Sequence, residues 1–390
     1  MGKQSAKMYY QGKYHSDVIC ETDSLSGISA GIGARKFINN SKMYIGNKLL
    51  WERKPANLLA IVDNCICVSN DMVHFSTLQT GIDYAGSKNT LSMYNICTLG
   101  KKFVCIGMPK ITKEGLNPMV LLKSDDGFRW NVFYEIGEYG KKNIGDGLVK
   151  CKYQGEDCIA LCVDSEIKIF NSAFSVVKSV SSELQNPMML GGKTLYLYDK
   201  DARGGNVYGI IEEYEDGVLI MRYPVTYRDG FFTSSDREIY VLGEDAIYSV
   251  RDYTSGYDIV LKRYRRGTVS TITYRDSILK DNRLYYPDIS EESLIFYVYA
   301  NERNYYFECK DENIFPKLST DLAYRPIAKR DGIASYLYFD FESGMSRSGF
   351  YKGNFFDIDF NNEKLAEFKG LFNFTMHTEA NAIHNYGYIE

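Results

Sequence analysis

The sequence is poor in prolines, tryptophans, histidines and long apolar runs. It has 8 Pro, 2 Trp and 4 His among 390 residues. No apolar run approaches the ~20 residues that a membrane helix needs, and no long segment has the apolar stripe of an amphipathic helix. No apolar segment follows Lys3 and Lys7, as one would in a signal peptide. These absences exclude a membrane-spanning helix and predict a chain without a signal peptide.

The net charge and the spacing of the cysteines give no support for a nucleic-acid-binding protein or for a metal site. The net charge is −4, so no overall field points to nucleic acid as a partner. The 9 Cys are odd in number and lack the paired spacing of a metal site. Two pairs, Cys65 with Cys67 and Cys158 with Cys162, lie in strand-like runs. We therefore expect no metal and no cofactor, and we expect buried, reduced thiols in a chain assembled in a reducing cytoplasm.

Aromatic residues are abundant instead, with 33 Tyr and 21 Phe. Tyr and Phe favour β-strands, and exposed Tyr is typical of recognition surfaces. The composition therefore favours an all-β protein.

One polar turn, between the apolar runs that end at Leu122 and begin at Asn131, predicts a β-hairpin. Its sequence, Ser-Asp-Asp-Gly-Phe-Arg-Trp, resembles the Asp-box turn of many β-propellers, in a form one residue shorter than that of sialidases. In such a turn Asp126 accepts backbone N–H bonds and Gly127 adopts a positive φ, while Ser124 and Trp130 complete the pattern. A weaker copy has Ser69, Asp71 and Phe75 at the corresponding positions. The motif indicates a fold and carries no chemistry.

From Asn57 onward the chain repeats a pattern of three strands and polar turns in about seven units. The spacing is close to the ~40–50 residues of propeller blades. Such small antiparallel units have two open edges, and stacking them around an axis buries their faces. The sequence thus predicts a β-propeller of seven blades over residues 57–390, with six as the alternative because the fourth unit is irregular. A β-sandwich would not explain the repeat, and the strand that closes the ring stays open.

Residues 1–56 differ from the rest and contain two similar phrases, Met8–Lys13 and Met43–Glu52. Each has a strand, a turn with glycine and a return strand, so we expect two short hairpins. Isolated hairpins bury little, and this segment is therefore predicted to attach to something larger.

The two N-terminal phrases resemble short β repeats near the start of tail-associated proteins of phages and phage-tail-like particles. The resemblance implies a structural component of a tail, baseplate or tail-like particle, assembled in the host cytoplasm. Its partners would be other tail or baseplate proteins and, through the propeller, host cell-wall carbohydrate. The anchoring residues would be Met8, Tyr9, Tyr10, Met43, Tyr44, Leu50 and Trp51.

Ligand contacts are expected at exposed aromatic and basic residues of the ring. The candidates are Tyr253, Tyr257 and Tyr274, which can stack on sugars, with Arg263 and Arg265 from the basic run Lys262–Arg266. Packing between blades is the alternative for the Tyr residues. A solvated blade edge is the alternative for the basic run, whose mixture of Arg and Tyr would also suit single-stranded nucleic acid or a phosphate-rich polymer.

The alternative function is a carbohydrate-active hydrolase, of the sialidase type, on the same ring. That chemistry needs three Arg, a Tyr–Glu nucleophilic pair and an acidic Asp from different blades. The adjacent pair Glu212–Glu213 points to opposite faces of a strand, and a solvated turn is the expectation for it. No catalytic residue is assigned, and we expect a protein that is not an enzyme.

Overall fold

The structure is a computed structural model. It describes residues 2–10, 13–22, 40–45, 48–52, 55–62, 65–70, 76–78, 81–84, 87–110, 118–142, 144–184, 188–191, 195–203, 206–225, 239–242, 246–251, 258–280, 282, 284–289, 293–301, 303–310, 313–321, 324–330, 332–340, 345–352, 373–375 and 385–389. The chain divides into two compact units, Met1–Ala56 and Asn57–Glu390, at the boundary that the sequence predicts.

The N-terminal unit is one antiparallel sheet of four strands in the order β1-β2-β3-β4. The strands are β1 (Gly2–Tyr10), β2 (Lys13–Thr22), β3 (Asn40–Ile45) and β4 (Lys48–Glu52). Both predicted hairpins are present as β1–β2 and β3–β4. They are not isolated, because β2 pairs with β3 from Val18–Ile45 to Thr22–Asn40.

The second unit contains seven antiparallel sheets, here called blades 1 to 7. Blade 1 has β5 (Leu58–Val62), β6 (Cys65–Ser69), β7 (Ser76–Leu78) and β33 (Asn385–Tyr388). Blade 2 has β8 (Gly81–Tyr84), β9 (Ser87–Leu99), β10 (Lys102–Lys110), β11 (Pro118–Ser124) and β12 (Asn131–Glu138). Blade 3 has β13 (Ile144–Tyr153), β14 (Glu156–Val163), β15 (Glu166–Phe170) and β16 (Val176–Ser181).

The remaining blades repeat the four-stranded meander. Blade 4 has β17 (Met188–Leu190), β18 (Leu195–Arg203), β19 (Asn206–Glu215) and β20 (Val218–Val225). Blade 5 has β21 (Ile239–Leu242), β22 (Ala246–Arg251), β23 (Asp258–Arg265) and β24 (Thr268–Arg275), followed by a 3-10 turn, Ser277–Leu279. Blade 6 has β25 (Leu284–Ile289), β26 (Leu294–Ala300), β27 (Arg303–Lys310) and β28 (Asn313–Asp321). Blade 7 has β29 (Tyr324–Arg330), β30 (Ile333–Asp340), β31 (Met345–Lys352) and β32 (Asn373–Thr375).

The fold is a seven-bladed β-propeller, as the sequence predicts. Middle strands are apolar almost throughout because both of their faces are covered by neighbouring blades. In β14, for example, every residue from Cys158 to Val163 is buried. Outer strands such as β24 alternate between exposed and half-buried residues.

The two ends of the propeller unit meet in blade 1. The C-terminal strand β33 pairs with β5, from Asn385–Ile61 to Tyr388–Leu58. Beyond the strand, the backbone N–H of Ile389 donates to the carbonyl of Asn57 at 2.8 Å. Backbone hydrogen bonds between first and last strands therefore close the ring.

Apolar and aromatic contacts join successive blades. Clusters of buried residues span blades 2 and 3, blades 3 and 4, blades 5 and 6, and blades 6 and 7. The rings of Tyr223 and Tyr264 join blades 4 and 5 at a centroid distance of 5.3 Å. Phe350 and Tyr386 join blades 7 and 1 at 5.2 Å. Gly387 of β33 lies against Ile96 and Thr98 of blade 2, which completes the circle.

The structure corrects parts of the sequence interpretation. The predicted units missed two strands in blade 2, β8 and β9, and one strand in each of the other blades, namely β33, β13, β17, β24, β28 and β29 in blades 1 and 3 to 7. The strand that closes the ring, which the sequence left open, is β33, whereas β32 belongs to blade 7. The sequence pattern also predicts a strand at residues 355–358, and these lie outside the described residues. The described part of the chain contains no helix with the length and apolar character needed to cross a membrane.

Candidate functional site

The predicted Asp-box turn joins β11 to β12 in blade 2. Asp126 Oδ1 accepts the backbone N–H groups of Phe128 and Arg129, each at 2.8 Å. Buried Ser124 accepts the N–H of Gly127 at 2.8 Å through its Oγ, and Gly127 has φ +76°. The indole N–H of Trp130 donates to the carbonyl of Gly127 at 3.2 Å. The turn is thus held by hydrogen bonds within seven residues.

We expect Asp126→Ala to lower the free energy of unfolding by about 1–3 kcal/mol, because two backbone N–H groups lose their acceptor. Urea unfolding followed by circular dichroism measures this. The matched control is Asp125→Ala, whose 72% exposed side chain pairs with Lys102 at 2.8 Å. An exposed pair contributes less than about 1 kcal/mol. Equal losses in the two variants would contradict a structural role for Asp126.

Several predicted site residues have no described side chain. In the weaker turn, Asp71 and Phe75 lie outside the described residues, and Ser69 is a buried residue at the end of β6. Tyr253 and Tyr257 lie outside them as well. For the anchoring set only the backbone is described, with Met8, Tyr9 and Tyr10 in β1, Met43 and Tyr44 in β3, and Leu50 and Trp51 in β4.

The other ligand candidates lie in blade 5. Half-buried Tyr274 packs against Phe307 of blade 6 at 5.5 Å, and its hydroxyl donates to Asp276 at 3.1 Å. Tyr274 therefore packs between blades, which is the alternative to ligand contact, and its aromatic ring lies against blade 6. Arg263 is half-buried and Arg265 is exposed, and both lie on the face of β23 that carries Ile259. The structure therefore brings two of the predicted cations onto one face of β23.

A buried polar network that sequence reasoning missed lies between blades 3 and 4. Glu212, 1% exposed, accepts the hydroxyls of Ser182 at 2.6 Å and Tyr214 at 2.7 Å through Oε2. Its Oε1 lies 3.6 Å from Nε of Arg222. The other side of that guanidinium pairs with Glu183. The expected solvated turn was wrong, because β19 continues to Glu215 and carries Glu212 into the interface.

The Tyr214–Glu212 pair has the residue types of a sialidase nucleophile but not its surroundings. Both side chains are at least 98% buried, so a substrate has no access to them. Burial, together with the hydrogen bond to Glu212, raises the pKa of Tyr214. A raised pKa opposes formation of the phenolate that a nucleophile needs. In this position the pair is part of the buried hydrogen-bond network that links β19 to Ser182.

An exposed apolar stretch lies at the outer edge of blade 4. Val218, Leu219, Ile220 and Met221 follow one another along β20 and are 37–56% exposed. A register shift at this point of the β19–β20 pairing marks a bulge, and Pro224 lies further along the same strand. Bulges and prolines are devices that stop an edge strand from pairing freely. Contact through side chains is therefore better suited to this edge than addition of a strand.

In the described part of the chain, the cysteines are buried, and the His, Cys, Asp and Glu side chains do not cluster as in a metal site. Seven cysteines have described side chains, and all seven are buried. Burial raises the pKa of Cys105 and of Cys151, and it raises that of Cys162 to about 11. These are the properties of inert core thiols. Among the described residues no group of three or more His, Cys, Asp or Glu side chains is placed to hold a metal ion.

The fold and these sites define a seven-bladed β-propeller with a separate N-terminal β-sheet unit. No known family model matches the sequence, and no curated protein matches it.

Solved structures share the architecture at low identity. Pyrococcus horikoshii acylaminoacyl peptidase is 11% identical with a TM-score of 0.44, over 67% of this chain and 45% of that one. This chain therefore spans less than half the length of that peptidase. The β-propeller domain of the Trilobed protease from Pyrococcus furiosus is 13% identical with a TM-score of 0.42, over 68% of this chain and 83% of that one. The likeness concerns the fold and says nothing about activity.

Proposed function

We propose that this protein is a structural component of a phage tail, baseplate or tail-like particle. The N-terminal sheet anchors the chain to neighbouring particle proteins, and the propeller contacts further proteins or host cell-surface glycan. The observation that carries the proposal is the division of the chain into a small four-stranded sheet and a closed ring. A sheet of this size has few means of burying its own faces, and an attachment surface would cover them.

Two further features support a role in assembly. In the described sheet, β1 and β4 each pair on one side only, and an edge strand can accept a strand of a partner through its backbone groups. The exposed apolar stretch Val218–Met221 at the rim of blade 4 is of the kind that marks protein-binding surfaces. The absence of accessible chemistry at the Tyr214–Glu212 pair favours this proposal over the hydrolase.

Deleting residues 1–56 is expected to abolish incorporation into particles while leaving a folded ring, because the deleted residues form a compact unit of their own. Particles released from the producing strain are purified, and immunogold electron microscopy locates the chain. Far-UV circular dichroism and a cooperative thermal transition of the purified variant serve as the folding control.

The experiment tests two parts of the proposal separately, the presence of the protein on particles and its anchoring through residues 1–56. Label at a fixed place on a tail or baseplate for the full chain, and none for the folded variant, agrees with anchoring. Incorporation of the variant would contradict anchoring through residues 1–56. A full chain that is never found on particles would contradict the particle role and direct the work to glycoside hydrolysis assays.

A further inference from the structure

Glu213, the neighbour of Glu212 on β19, is buried on the opposite face, between blades 4 and 5. It is 1% exposed, and its Oε1 has no hydrogen-bond partner in the part of the chain that the structure describes. The hydroxyl of Tyr264 and the backbone N–H of Arg266, both in blade 5, lie close enough to this carboxyl group to favour its ionised form. Two adjacent carboxyl groups are thus buried in opposite interfaces of one blade with different partners.

Among the side chains that the structure describes, the charged and titratable groups that face Glu213 do not compensate a negative charge well. The guanidinium of Arg266 donates to Oε1 of Glu215 at 2.7 Å, so its charge is shared with a second carboxylate. Lys262, on the Tyr264 face of β23, donates to Thr271 at 2.8 Å. Tyr223 of β20 presents a ring to Tyr264. Glu215, on the same strand, repels a charge on Glu213.

Glu212 has a different environment in the same strand. Two hydroxyl donors and a guanidinium face its oxygens, whereas one oxygen of Glu213 faces none in the described chain. An unpaired charge is unfavourable in a low-dielectric interior, and a neutral carboxyl group is tolerated there. Desolvation by burial accordingly raises the pKa of Glu213, against the smaller opposing effects of Tyr264 and Arg266.

We propose that Glu213 is a pH-sensitive latch between blades 4 and 5, which holds the interface when its carboxyl group is neutral and loosens it after losing the proton. The folded protein binds this proton more tightly than the unfolded chain does. The stabilisation is therefore complete below the pKa of the unfolded chain and is lost as pH rises through the higher pKa of the folded state.

The wild type, Glu213→Gln and Glu212→Gln are compared by thermal unfolding at a series of pH values. The series runs from about pH 4.5, near the ordinary pKa of a Glu side chain, up to about pH 9. Glutamine resembles the neutral acid and cannot ionise. We expect the melting temperature of Glu213→Gln to approach that of the wild type at the acid end and to exceed it increasingly as pH rises. Glu212→Gln is expected to melt below the wild type, without that rising difference.

Trypsin gives a local measurement at the same interface. Arg265 and Arg266 lie in the hairpin between β23 and β24, beside the latch. We expect the two proteins to be cut there at similar rates at the acid end, and the ratio of the wild-type rate to the Glu213→Gln rate to grow several-fold as pH rises. Comparing the two proteins at one pH removes the pH dependence of the protease.

Parallel melting curves for the wild type and Glu213→Gln across the range would overturn the latch, and so would a constant cleavage ratio. If Glu213→Gln does not fold, Tyr264→Phe provides the test. This variant keeps the aromatic ring and removes a hydroxyl group that favours the ionised form of Glu213. The decline in stability should therefore extend to higher pH than it does in the wild type. No movement, or a downward one, would also overturn the proposal. These results do not depend on the particle role.

Discussion

Tyr386→Ala is expected to lower the free energy of unfolding by about 3–5 kcal/mol, the usual loss for a large aromatic removed from a core. Tyr386 is 1% exposed and belongs to β33, which has only four residues to close the ring. Its ring packs edge-on against Phe350 of blade 7 at 5.2 Å. Its hydroxyl donates to the carbonyl of Ile333 at 2.7 Å. One side chain therefore joins the first blade to the last.

Urea unfolding monitored by tyrosine fluorescence and circular dichroism measures the loss. Tyr386→Phe is the matched control, since it keeps the ring and leaves only the Ile333 carbonyl without its donor, a loss of about 1–3 kcal/mol. We expect the alanine variant to be clearly worse than the phenylalanine variant. If both are within experimental error of the wild type, β33 does not hold the ring closed.

The second large effect is expected from Glu212→Ala, with a loss of about 2–5 kcal/mol, because each of two hydroxyl groups that loses its acceptor inside the protein costs about 1–3 kcal/mol. The substitution deprives the hydroxyls of Ser182 and Tyr214 of their acceptor. It also removes one of the two carboxylates that face the Arg222 guanidinium.

Glu183→Ala is the control, because Glu183 pairs with the same guanidinium from a position that is 79% exposed. A screened pair at the surface is worth less than about 1 kcal/mol. Equilibrium unfolding of both variants, at one pH and salt concentration, compares them directly. Comparable losses would mean that the guanidinium contact, and not burial of Glu212, carries the effect.

The turn at Ser124–Trp130 shows why part of this structure could be predicted. Its hydrogen bonds join residues no more than three positions apart, so the amino-acid types and their order suffice to define it. The repeat of apolar strands and the boundary near Asn57 are also visible in the sequence, because each strand carries its own pattern. The all-β class and the number of blades follow from these local features.

Short strands were harder to predict. Met188–Leu190, a strand of only three residues, has no periodicity of its own and forms by pairing with β18. The closing strand β33 lies more than 320 positions from β5 in sequence, and no local signal relates the two. Such pairings depend on the curvature of the whole ring.

Glu212 and Glu213 mark the limit most clearly. The sequence around them, rich in acidic residues, indicates a solvated turn, because local patterns describe the preference of a residue and not what lies beside it. Which blade faces each carboxyl group is decided when blades 3, 4 and 5 pack together. The strands and turns of this protein therefore follow from short-range chemistry, whereas ring closure and the burial of charge follow from contacts between residues that only the folded ring brings together.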